Sequence, residues 1–169
     1  MSTRVAMKSW FMETLNSVRA TLLEHRAALE QLGNAMGQVS YANELQVQAL
    51  IAVQVVLDEA YMALGDAFSR LTAAHALTNS TSRLVPAGGG KVRAAPHIAD
   101  ASQHVQVAQE SLKCLNVHVR AMVVLFTSET TKAGLVGNQV DIARGLVGGI
   151  LVRWDRALVS IANARDEFN

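Results

Sequence analysis

The 169-residue chain reads as an all-α protein: an antiparallel up-down-up-down four-helix bundle with long helices and one long loop between helices two and three. Three observations predict this. Apolar residues recur at steps of three and four through four segments, which places them on one stripe of an α-helix. The chain holds only two prolines, the residue that most strongly interrupts a helix. Two of the three links between segments are short, as expected for helices that turn back beside their neighbours.

The first helix is expected over about 3–32, with a stripe of Phe11, Leu15, Val18, Leu22, His25, Leu29 and Leu32. Gly33 and Gly37 bracket the turn, in keeping with the preference for glycine just past a helix end. Ser40 is placed to cap the second helix, with Glu44 in its first turn. That helix is expected over about 41–78, on Leu50, Leu57, Leu64, Phe68 and Leu71, with a frayed end or a kink near Gly65.

Residues 79–96 carry loop chemistry, Asn79-Ser80-Thr81-Ser82 and Pro86-Ala87-Gly88-Gly89-Gly90. This is long for a connection inside a compact domain. Arg83, Lys91 and Arg93 make it a flexible basic loop with no acidic residue to offset them.

Pro96 suits the first position of the third helix, where its missing N–H costs nothing. That helix is expected over about 97–127, and its stripe is the longest in the chain: Ile98, Ala101, Val105, Ala108, Leu112, Leu115, Val119, Met122 and Phe126. Ser128 or Thr131 can cap the fourth helix. Gly134 and Gly137 delay its regular part to about 138–167, on Val140, Ala143, Val147, Ile150, Trp154, Ala157, Ile161, Ala164 and Phe168. All four helices belong to one domain, 1–169.

Two segments are apolar nearly all round, Ala49–Leu57 and Leu146–Val152. A bundle helix needs only one apolar face. Either small residues such as Gly145, Gly148 and Gly149 let helices approach closely inside a broad core, or a second surface covers these zones. The candidate interaction surface is therefore Ile51, Val55, Gly148, Gly149 and Leu151, and the expected partner is a second copy in a homo-oligomer, most simply a dimer. On this view Gly148→Leu disturbs packing or assembly.

Little else points to chemistry. Fifteen Lys and Arg against fourteen Asp and Glu give a net charge of +1, which argues against a nucleic-acid binder with its basic stripe. No glutamate has a histidine three residues later, which excludes the di-iron pattern of helical bundles. His97, Asp100 and His104 share one helix face and could hold a metal weakly, but a solvated face is the expectation. Gly88-Gly89-Gly90-Lys91 lacks the upstream glycine of a phosphate loop, and Val92 stands where Ser or Thr is needed. No Gly-x-Ser-x-Gly is present, and Cys114 reads as a helix-face residue without a base beside it. No catalytic residue, cofactor or metal is expected.

Asn79-Ser80-Thr81 matches a glycosylation sequon, which matters only in a secreted protein. Arg4, Met7, Lys8, Trp10 and Phe11 could lie at a membrane surface, yet Glu13 follows and Phe11 belongs to the core stripe. No stretch approaches the ~20 apolar residues that span a bilayer, and residues 1–8 lack signal-peptide character, so the cytoplasm is the expected setting. The leading expectation is a non-enzymatic helical interaction protein. The alternative is a membrane-active or lipid-binding bundle that uses the basic loop as hinge or lipid contact. A carrier for a small apolar ligand is a weaker third.

Overall fold

The computed structural model describes residues 3–36, 44–78, 89–127 and 133–168. They form four helices and, among the described residues, no strand: α1 (Thr3–Met36), α2 (Glu44–Thr78), α3 (Gly89–Thr127) and α4 (Ala133–Asp166). Their lengths of 34, 35, 39 and 34 residues are nearly matched. α1 packs on α2 and α4, and α3 packs on the same two, leaving α1/α3 and α2/α4 as the diagonals of a square. Cross-links show neighbours running antiparallel. Phe11 near the start of α1 stacks on Phe168 beyond the end of α4, with centroids 4.9 Å apart. Further along, the Trp154 indole N–H donates to the Leu22 carbonyl at 2.8 Å.

Each helix contributes two rows of buried residues at seven-residue steps. On α3 they are Ile98, Val105, Leu112, Val119 and Ala94, Ala101, Ala108, Leu115, Met122. On α2, Leu50, Leu57, Leu64 and Leu71 run beside Ala60, Ala67 and Ala74. Alanine rows let axes come close, because interaxial distance follows the size of the side chains between them. α1 has no alanine row: Phe11, Leu15, Val18, Leu22, Leu29, Leu32 and Met36 are its buried residues. Accordingly its contacts with α2 and α4 are less extensive than those of α3. Phe68, placed in the α2 stripe by its spacing, is only half-buried at the edge of the core, and so is His25 on α1. The second inward row of α2 belongs to its alanines instead.

Three boundaries differ from expectation. α1 continues through Gly33, where an added Cβ would lie 2.9 Å from Val147 Cγ1. That glycine therefore serves the α1/α4 approach and does not stop the helix. α2 is helical through Gly65, against which Gln109 packs. α3 opens at Gly89, so Pro96 lies inside it. The proline removes the donor for the Val92 carbonyl, a loss of about 3 kcal/mol in a helix interior. Tertiary contacts offset it: Ala94 is fully buried, Lys91 is buried, and Gly90 lies against the α4 C-terminus at Glu167. α4 likewise starts at Ala133 and is helical through Gly134 and Gly137. The proposed caps Ser40, Ser128 and Thr131, the turn at Gly37 and the sequon Asn79-Ser80-Thr81 lie outside the described residues.

Candidate functional site

The two all-round apolar zones do not vanish into the core. On α4, Val147 and Ile150 point inward and are buried, while Gly145, Gly148, Gly149 and Val152 are exposed. A Cβ added at Gly145, Gly148 or Gly149 would meet nothing within 4 Å. The close approach that these glycines suggest inside the bundle is thus absent. Each still costs its helix about 1 kcal/mol against alanine, and nothing within the bundle offsets that. Leu151, grouped with them by its place in the run, is half-buried and packs on the core instead. The outward stripe of α4 reads Asp141, Gly145, Gly148, Gly149, Val152, Arg156 and Val159, all exposed.

On α2 the same register places Ile51, Val55 and Met62 outward, with Val55 55% and Met62 74% exposed. Glu59 and Asp66 share this face, and no Lys or Arg occurs between Glu44 and Ser69. Because α2 and α4 are diagonal, the two faces lie at opposite corners. Ile51 and Val55 therefore do not join Gly148 and Gly149 in one continuous patch. Sequence spacing alone carries no information on which helices are neighbours.

Of the flexible basic loop expected over 79–96, residues 89–96 belong to α3 instead, and 79–88 lie outside the described residues. Lys91 is a buried α3 residue, and Arg93, also on α3, donates from Nε to Glu167 Oε2 at 2.7 Å. Arg83 lies outside the described residues. Lys91 and Arg93 therefore form no exposed basic pair.

Polar cross-links fix the register of α4. Arg26 grips Asp155 with two N–H groups, at 2.6 and 3.0 Å, and reaches Glu30 at 2.8 Å. This forked hydrogen bond holds the Asp155 carboxyl below the usual carboxylate range and the Arg26 guanidinium above its ordinary value. His104 is half-buried between α3 and α4, with Nδ1 3.3 Å from Arg153 Nη1. Burial first, then the charges of Arg153 and Arg156, push its imidazole below 6.5, against a smaller opposing pull from Asp100.

A groove of about 310 Å³ separates α2 and α3, lined by Asp58, Tyr61, Lys113, Asn116, Val117 and Arg120 over Leu57 and Leu112. Asn116 Nδ2 donates to Asp58 at 3.2 Å, while its buried Oδ1 has no partner among the described residues. Spacing gives no hint of this groove, because its lining comes from two helices. Among the described residues no three of His, Cys, Asp and Glu converge as a metal site. His97, Asp100 and His104 stay on one helix, and the last faces arginines. Cys114 is exposed and free. At the bundle end Trp10 meets Phe11 edge-on at 5.2 Å, over the buried Phe11–Phe168 stack. Among the described residues no helix is long and apolar enough to cross a membrane. The chain matches no protein-family model and none of the curated proteins.

Proposed function

We propose that this is a non-enzymatic helical interaction protein that self-associates through outward apolar faces. The observation that carries the proposal is the state of α4: three glycines and Val152 form an exposed mid-helix strip whose helical cost has no compensation inside the bundle. The exposed Ile51, Val55 and Met62 on α2 add a second such face at the opposite corner. A polypeptide that keeps apolar residues uncovered in this way reserves them for another macromolecule. A cytoplasmic setting belongs to the same proposal and rests on the single cysteine, which builds no disulfide framework.

The lipid-binding alternative draws on a basic loop beside apolar helices. With Lys91 buried and Arg93 paired to Glu167, no specific observation favours it. The test is molar mass by size exclusion with light scattering across a wide concentration range. A mass above one chain supports self-association. A single-chain mass at every concentration removes it.

A further inference from the structure

We propose that two copies of this chain pair antiparallel through α4, about a two-fold axis passing between Gly148 and Gly149. The inference rests on the self-association reading and specifies its face and its partner.

A two-fold interface must be complementary to itself. Reversing the outward stripe of α4 about this point sets Gly148 opposite the partner's Gly149. Gly145 then falls opposite the partner's Val152, and Asp141 opposite the partner's Arg156. Each match suits its neighbours. Glycine against glycine at the crossing lets the two backbones touch, as small residues do wherever helices cross closely. The half-exposed Val152 finds the flat surface left by a missing side chain. Opposite charges flank the glycines twice by symmetry, and beyond them Val159 falls opposite the partner's Asn138. Asp141 and Arg156 are exposed, and neither forms an ion pair with another described residue.

The face on α2 does not do this. Paired with itself about a two-fold axis near Met62, it would set Glu59 opposite the partner's Asp66, a like-charge pair, and Asp66 is already held by Arg70 on the same helix at 3.1 Å. Paired head to tail with α4, its Val55 and Met62 would hold the backbones away from the glycines. Faces at opposite corners would also generate an open chain of subunits, not a closed pair.

The experiment compares wild type with Asp141→Arg, Arg156→Asp, the double reversal and Gly149→Leu, by light scattering, with helicity followed by circular dichroism. Wild type is expected at twice the 18.1 kDa chain mass. Each single reversal is expected to weaken the pair by about tenfold or more, as close interfacial charge pairs do, and the double reversal to restore it. Gly149→Leu is expected to abolish the pair with helicity unchanged, since its Cβ position is open in the single chain. A dimer indifferent to the single reversals, a double reversal that fails to rescue, or a mass that climbs past two chains overturns the α4 axis and leaves self-association standing. A wild-type monomer at every concentration overturns both.

Discussion

Gly33, Gly65 and Gly90 sit where helices touch, while Gly145, Gly148 and Gly149 sit where nothing touches. At the first three, an added Cβ would meet Val147 at 2.9 Å, Gln109 at 3.0 Å and the Glu167 carbonyl oxygen respectively. At the second three it would meet open space. The same residue on a helix therefore records close packing in one region and bare surface in the other. α4 carries the contrast within one element. Its inner side is filled by Val147, Ile150, Trp154 and Ile161, and its outer side is stripped to backbone at the three glycines.

The largest break in that contrast comes from the inner side. Trp154 is the bulkiest fully buried side chain, and its indole N–H reaches across to α1. Trp154→Ala should destabilise the fold by about 3–5 kcal/mol, as large-to-small core substitutions do. Urea unfolding followed by circular dichroism measures this. A loss under about 1 kcal/mol would mean that the inner side of α4 is not packed as described.

A smaller and sharper test compares alanine at Gly90 with alanine at Gly149. At Gly90 the new methyl strikes the backbone at the α4 C-terminus, which costs about 1–3 kcal/mol as overpacking. At Gly149 the methyl meets nothing, and the fold should gain about 1 kcal/mol from helix propensity. Unfolding at low protein concentration keeps assembly out of the comparison. Two substitutions with the same sign would erase the distinction between the glycine groups.

The four stripes are legible in the sequence because each is long and periodic. An apolar residue every third or fourth position over many turns suits neither the two-residue period of a strand nor a solvated loop. What escapes such a reading has physical causes. Ala60, Ala67 and Ala74 form the second inward row of α2, but alanine is common on both helix faces and marks neither. Phe68 resembles a core residue because it is large, yet it flanks the row. Pro96 and Gly88–Gly90 are strong local breakers, and only docking against Glu167 makes the turns before the proline helical. That docking takes Lys91 and Arg93 out of the loop. Of the candidate surface, Ile51, Val55, Gly148 and Gly149 are exposed and Leu151 is not. Which corner each occupies depends on helix order around the square, and no run of residues encodes that locally.

The smallest expected effect concerns the α3/α4 seam, where His104 lies against Arg153 and within reach of the charge of the outward Arg156. Its imidazole is held below 6.5 in the folded state, so between the folded and unfolded values the unfolded chain binds more protons. Stability from this site is present at neutral pH and declines as pH falls from about 6.5. Asp155 acts in the same direction further down, since its carboxyl is held below 3.8 by Arg26 and that contribution fades as the acid range is entered. The urea midpoint should therefore fall on going from neutral to mildly acidic buffer, and His104→Gln should flatten that upper limb alone. Arg153→Gln should flatten it partly, because burial of the ring remains the larger cause. A His104→Gln curve that superimposes on wild type through this range would show that the ring is solvated in both states. The α3/α4 seam would then be looser at His104 than the alanine rows beside it require.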